Sequence, residues 1–367
     1  MVTSGKPNLL RRYNRDLIQK LILSEGPITK VELARLSGAS VPTVNKIVNE
    51  LEADGLICSL DETSNTVGRK AASYIVNKDA GYFIVFFIQN ECIHAGLTNN
   101  YGEIIHEEKY APDMSSLEQV NSTIFSTIEM FVSEIPQEKL KAIGLGVPGV
   151  IDPDNKIIVI PTVPCWEGLN LKSLLEEKYK KPVFIENDVK LMTIGVYKRE
   201  FAEKSRNMVF LYISEGLGAG IVINGKLYKG INSFAGEYGF MVPDFEKTEP
   251  HSESMGDLEY KLRPLAEKKI KGEPFDVSES VLYEQLLSGV ITNFTAVLNP
   301  DVISICTPNL TEIELMRIRE RTMARIPDYL MPELVITEES DYGINGVIEL
   351  CMTGINSNIS LINEKEM

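Results

Sequence analysis

A winged helix-turn-helix followed by an α/β body is the fold class that the 367-residue sequence predicts, and three observations predict it. Three short amphipathic helical patterns crowd the N-terminal region, with a glycine-containing turn between the second and third. From Ala80 onward strand and helix patterns alternate, punctuated by Gly and Pro. Charge divides the same way: residues 1–78 hold 11 of the 37 Lys+Arg but only 8 of the 52 Asp+Glu, so a weakly basic module precedes a strongly acidic body in a chain of net charge -15. That asymmetry is expected when only one end of a chain meets phosphate.

In the first helix Leu17, Ile18, Leu21 and Ile22 recur at helical spacing, and Gly26-Pro27 stops the run. Thr29 caps the second helix, with Glu32 at the capping-box position and Val31, Leu33, Ala34 and Leu36 as its apolar residues. Gly38, Ala39 and a capping Ser40 lead into the third, whose Val44, Ile47, Val48 and Leu51 form one face and whose first turn accommodates Pro42. The last helix of such a motif enters the major groove by its N-terminal end, which assigns DNA contacts to Ser40, Thr43, Asn45 and Lys46. Leu56-Ile57 and Tyr74-Ile75-Val76 read as two strands of a wing. Arg69 and Lys70, after Gly68 near its tip, suit the negative potential of a narrow A·T minor groove. A three-helix protein-interaction module is the bland alternative; the basic wing and the charge asymmetry favour DNA.

The body opens with strands over residues 82–88, 93–98 and 103–107, followed by a helix over 116–135, a strand over 142–147, a helix over 171–180 and a strand over 183–185. Its longest apolar stretch, residues 83–88, is far short of the roughly 20 residues of a membrane span, and the start lacks a signal-peptide core, so a cytoplasmic location is expected. Five cysteines, Cys58, Cys92, Cys165, Cys306 and Cys351, lie scattered and are expected to be free thiols. None of His94, His106 and His251 sits at ligand spacing from another His or Cys, so neither metal nor cofactor is expected.

Three stretches of the body carry a resemblance. One runs Ile213-Ser214-Glu215-Gly216-Leu217-Gly218-Ala219-Gly220-Ile221 through Gly230 to Ala235-Gly236-Glu237-Tyr238-Gly239; the others are Gly144-Leu145-Gly146-Val147-Pro148-Gly149-Val150-Ile151-Asp152 and Glu186-Asn187-Asp188. In type, spacing and order they resemble the ROK family of repressors, open reading frames and sugar kinases, and the N-terminal module resembles that of the family's xylose-type and N-acetylglucosamine-type repressors. The resemblance implies an actin-like (ribonuclease H-like), two-lobed sugar-kinase fold. The expected division is a DNA-binding domain over 1–78, a first lobe over 79–185 and a second over 186–367, with the C-terminal helix packing back on the first lobe.

By the same resemblance the sugar or sugar-phosphate effector meets Gly149, Asn187, Asp188, Glu237 and Glu259, the last placed by Gly256-Asp257-Leu258-Glu259. Carboxylates and amides suit a sugar because each buried hydroxyl must find a partner. In the kinases the aspartate matching Asp188 is the general base; here it serves equally as an acceptor for the same hydroxyl. The nucleotide side departs from the family. Phe87, Gln89, Asn90 and Glu91 stand where the kinases carry Asp-x-Gly-Gly-Thr, Glu215 replaces a phosphate-loop Thr, and Cys306-Thr307-Pro308 replaces the adenosine-binding glycines. Phe240 stands at the family's zinc-binding His, either as a stacking face for a sugar or as filler of the vacated metal pocket, and residues 244–256 lack the family's cysteines. The resulting expectation is a non-enzymatic, sugar-responsive repressor acting on a pseudopalindromic operator as a homodimer or dimer of dimers, with no membrane partner. Two alternatives stand beside it: an active sugar kinase with an unusual ATP site, and a regulator controlled by a partner protein.

Overall fold

The structure, a computed structural model, describes residues 5–60, 72–89, 92–151, 157–158, 166, 168–214, 216–243, 256–338 and 340–365. Its contacts gather the chain into two units, residues 1–83 with 97–106 and 131–141, and residues 84–96 with 107–130 and 142–367.

The N-terminal module comprises α1 (Gly5–Glu25), β1 (Ile28–Thr29), α2 (Lys30–Ser37), α3 (Val41–Ala53), β2 (Ile57–Leu60) and β3 (Ser73–Val76). Helix α1 extends beyond the Leu17–Ile22 pattern toward the N-terminus. The two-residue β1 turns the expected wing pair into a three-stranded sheet of order β1-β3-β2, with Ile28 opposite Tyr74. Capping follows the local chemistry. The Thr29 hydroxyl accepts from the Glu32 amide at 3.3 Å while Glu32 accepts from the Thr29 amide at 3.0 Å. Gly38 closes α2 in the left-handed region at φ 68°, a conformation that costs other residues about 1 kcal/mol or more. Ile18, Ile22, Leu33, Val44, Ile47, Val48, Leu51, Tyr74 and Val76 form a core of the module's own. Arg11 and Arg15 of α1 pair with Glu50 of α3 and Asp54 at its C-terminal cap, at 2.7 Å each.

The body follows as β4 (Tyr82–Gln89), β5 (Cys92–Asn99), β6 (Ile104–Tyr110), α4 (Leu117–Ser133), β7 (Leu140–Val147), β8 (Val150–Ile151), β9 (Ile157–Ile158), α5 (Leu171–Tyr179), β10 (Val183–Asn187) and α6 (Asp188–Val196). Then come β11 (Met208–Ile213), β12 (Leu217–Ile223), β13 (Lys226–Tyr228), α7 (Asp257–Lys271), α8 (Val277–Leu298), β14 (Val302–Cys306), α9 (Glu312–Met323), β15 (Glu333–Ile336) and α10 (Tyr342–Lys365). Two five-stranded sheets result, of order β10-β7-β4-β5-β6 and β13-β12-β11-β14-β15. Counted along the chain within each sheet, both orders read third, second, first, fourth, fifth. The same lobe plan is therefore built twice, which is the actin-like architecture. Helix α8 is long and apolar enough to cross a bilayer, but its Tyr283, Leu287, Ile291 and Phe294 are buried in the core against β11 and β14.

Helices α6 and α10 meet at backbone distance. A Cβ on Gly195 of α6 would lie 2.1 Å from the Tyr342 carbonyl oxygen, and one on Gly346 of α10 would lie 2.0 Å from that of Leu191. Farther along α10, the space beside Gly354 is filled by the Phe184 ring of β10. Gly218 and Gly220 of β12 face α6 in the same way, where Cβ atoms would strike Val189 and Thr193. These two glycines of the phosphate-loop pattern are thus required by packing alone.

Candidate functional site

The residues assigned to DNA lie on the first turns of α3. The Ser40 hydroxyl caps the helix by accepting from the Thr43 amide at 3.4 Å and pairs with the Thr43 hydroxyl at 2.8 Å. Asn45 and Lys46 are exposed on the next turn, as is Val41 at the helix start. Arg69 and Lys70 fall outside the described residues.

Residues assigned to the effector converge where β10 runs into α6. Asn187 ends the strand, and its side-chain oxygen caps α6 by accepting from the Lys190 amide at 3.0 Å. Its amide nitrogen donates to the Gly149 carbonyl at 3.1 Å and to Asp188 at 2.9 Å. Both amide hydrogens are thereby committed, so Asn187 arranges the corner rather than presenting a donor. Gly149 carries φ 96°, a conformation open to glycine. Asp188 also accepts from the Val189 amide at 2.8 Å.

Three carboxylates share this region, Asp188 and Glu259 buried and Glu237 with its side chain 11% exposed. Burial pushes the Asp188 carboxyl up to about 7, opposed by the Val189 amide and reinforced by the charge of Glu237. Glu237 is pushed up to about 6 by its own burial, with Lys190 pulling the other way and Glu259 adding to the rise. Glu259, on the first turn of α7, is raised by burial as well, and its carboxylate lies against Gly239. Carboxyls held near neutrality in a cleft are equipped to accept from hydroxyls or to exchange protons with them. At the rim, Phe240 is 38% exposed, with its ring centroid 5.3 Å from that of Phe234. This leaves part of the ring open.

Sequence reasoning missed the cations of this cleft. Lys190, 1% exposed, donates to the Ser233 carbonyl and lies 3.9 Å from Glu237. Lys229 pairs with the buried Glu186. The available signal was the helix itself: α6 reads Leu191, Met192, Ile194 and Val196 on every side of Lys190, and a helix apolar all round is a buried one.

Two of the residues at the nucleotide-side positions of the resemblance are packed against their neighbours. The Phe87 ring is packed between Gly146 of β7 and Gly343 of α10. Gln89, at the first phosphate-loop glycine of the resemblance, donates to the Tyr212 hydroxyl at 2.7 Å. Thr307 is buried ahead of Pro308. Glu215, Asn90 and Glu91 lie outside the described residues. Among the described residues no group of three His, Cys, Asp or Glu is arranged to hold a metal ion, and residues 244–255 are not among them.

Comparison with known proteins agrees with this anatomy. The ROK family model matches residues 90–256, and a winged helix-turn-helix DNA-binding model matches residues 11–57. The xylose repressor of Bacillus subtilis is 32% identical over 238 residues, 64% of this chain and 62% of that protein. The xylose repressor of Caldicellulosiruptor bescii is 30% identical over 263 residues, 70% of this chain and 65% of that one. The DNA-binding transcriptional dual regulator NagC of Escherichia coli is 26% identical over 259 residues, 70% and 63%. The matched region thus spans a little under two thirds of these relatives' length. Among solved structures, a ROK family transcriptional regulator described as a homolog of the E. coli MLC protein superposes with TM-score 0.78 at 20% identity, covering 96% of this chain and 98% of that one. A ROK hexokinase from Thermus thermophilus gives 0.62 at 18%, covering 75% and 99%. At such identities these two likenesses are of fold. Duplicated sheets, the three matching stretches and the two family matches lead to one statement: the chain carries a ROK family domain behind an N-terminal winged helix-turn-helix DNA-binding module.

Proposed function

We propose that the chain is a sugar-responsive transcriptional repressor, whose winged helices bind a pseudopalindromic operator as a homodimer or dimer of dimers and whose ROK domain senses the effector without phosphorylating it. The observation that carries this reading is the contrast between the two sides of the cleft. The carboxylates of Asp188, Glu237 and Glu259 are kept together and largely away from solvent, while Phe87 and Gln89 take up the nucleotide-side positions. The names of the relatives, xylose and N-acetylglucosamine repressors, support the sugar class. Sugar occupancy then changes operator affinity only through a difference in its affinity for two arrangements of the protein.

A thermal-shift screen of sugars and sugar phosphates, with ATP as a further arm, tests the reading. A ligand at a hundred times its dissociation constant adds about 2.7 kcal/mol, so a matching sugar should raise the melting temperature visibly. ATP should not, and no hexose should be phosphorylated above the rate of an Asp188→Asn control. ATP-dependent stabilisation with turnover would establish the kinase alternative instead.

For the DNA half, Lys46→Ala should weaken binding on all sequences and flatten the salt dependence, as loss of a phosphate contact does. Asn45→Ala should relax sequence choice, by about 1–3 kcal/mol at one base pair, with the salt slope kept. Salt-dependent fluorescence anisotropy on operator and scrambled duplexes separates the two. Equal loss on both duplexes for Asn45→Ala would remove it from base readout.

A further inference from the structure

We propose that Lys190 is a positioning residue of the ligand cleft: its buried ammonium clamps the loop from Lys229 to Glu237 onto the start of α6 and thereby holds Glu237 in place beside Asp188. The proposal deepens the sugar-sensor reading and rests on it for the role of Glu237, although the clamp itself is read from contacts alone.

Three observations carry it. Lys190 is 1% exposed, and burial pulls its ammonium below the usual lysine range while the carboxylates of Glu237 and Glu186 push it back up; a buried ammonium is tolerated only where it is paired and hydrogen-bonded. Its partners both lie on the one loop: the Ser233 carbonyl and, at 3.9 Å, the Glu237 carboxylate. The loop is strained where it is gripped, because Ser233 holds φ 57°, the left-handed region that residues with a side chain disfavour. A second tie at the loop's other end joins Lys229 to Glu186, the residue just before Asn187. Two lysines, one on the helix and one on the loop, therefore bind the same loop to the β10–α6 corner from opposite directions. The strained carbonyl gains a charged donor, and the donor gains its counter-charge.

The groups that face Glu237 are Lys190 and Asp188 from α6 and Glu259 from α7, with Glu186 and Lys229 acting on Lys190. Removing the ammonium leaves Glu237 with like charges only, so its carboxyl should titrate higher than about 6.

The test uses the full chain and no sugar. In Lys190→Met, trypsin should cut after Lys229 about tenfold faster, as expected when a local closing contact is lost and cleavage follows the open population. Carbon-detected NMR should show the Glu237 carboxyl, assigned with Glu237→Gln, titrating at a higher pH. Lys190→Arg keeps the charge and should return the titration toward the parent. Lys190→Gln keeps a donor for Ser233 without the charge, so it should hold the loop closed and still raise the Glu237 midpoint. If Lys190→Met does not fold, Lys190→Gln decides by that midpoint alone. Unchanged cleavage together with an unmoved midpoint overturns the proposal. Should the clamp readouts behave as expected while no sugar stabilises the parent, the sugar-sensor reading fails and the clamp stands.

Discussion

An Asp188→Ala protein is expected to hold its operator as the parent does without effector, yet to need more than tenfold more effector sugar for the same response. Asp188 offers a charged acceptor at the head of α6, and leaving a ligand hydroxyl without such a partner costs on the order of 1.5–3 kcal/mol. Nothing in the substitution reaches the core of the N-terminal module, which is closed by Ile18, Val44, Val48 and Tyr74. The same carboxyl gives the response a pH sign. With Asp188 at about 7 and Glu237 at about 6, the acceptors are largely protonated at pH 5.5 and ionised at pH 8, so sugar affinity should rise across that window in the parent. The stability of the ligand-free protein should move the other way. Because the folded carboxyl titrates above its ordinary value, the native state binds more protons than the unfolded chain between about pH 4 and 7, and stability falls as pH rises through that range. Calorimetric titration of the sugar found in the screen, at both pH values and in both proteins, checks magnitude and sign together. Equal sugar affinity in parent and variant would place the effector outside this cleft and favour control by a partner protein.

Gly346→Val should be among the most damaging single changes in the body. A Cβ there falls 2.0 Å from the Leu191 carbonyl oxygen, and backbone cannot step aside as a side-chain tip can. Forcing α10 away from α6 should cost about 3 kcal/mol or more, the upper range for overpacking. Because α6 begins with Asp188, sugar binding should weaken along with stability. Gly289 of α8 supplies the opposite case, since a Cβ there meets nothing within 4 Å. Gly289→Ala should therefore stabilise by roughly 0.5–1 kcal/mol through helix propensity. Chemical denaturation of the two variants against the parent tests the contrast. A Gly346→Val protein as stable as the parent would mean that the helices are not in backbone contact.

Much of this was legible where local chemistry decides. Thr29 with Glu32, and Ser40 ahead of Pro42, announce their helices because capping is decided within one turn, and the structure places both caps as read. The strands of the first sheet were found to within a few residues because their apolar runs stop at turns. Strand β1 was missed because two residues carry no period, and pairing with Tyr74 is a long-range event. Asn187 was read as a ligand contact by resemblance, and its further part in tying Gly149 and Asp188 together is a long-range contact that no local pattern announces. The retained Gly218 and Gly220 look like a surviving phosphate loop, yet Val189 and Thr193 account for both. Lys190 and its loop partners are separated by some forty positions, and no local pattern joins them.

The packing of α10 on β10 and α6 also has a consequence for the order in which the protein can become competent during synthesis. The N-terminal module closes its core within residues 18–76 and needs nothing translated later for that core. The effector corner is different: Gly144, Phe184 and Leu191 all find their neighbours on α10, a segment made long after them. At about 5–20 residues per second, on the order of ten seconds separates the emergence of Asp188 from that of the helix that backs it. A nascent chain would thus close the core of its N-terminal module before the corner that α10 backs, and a ribosome stalled between the two would carry the first without the second.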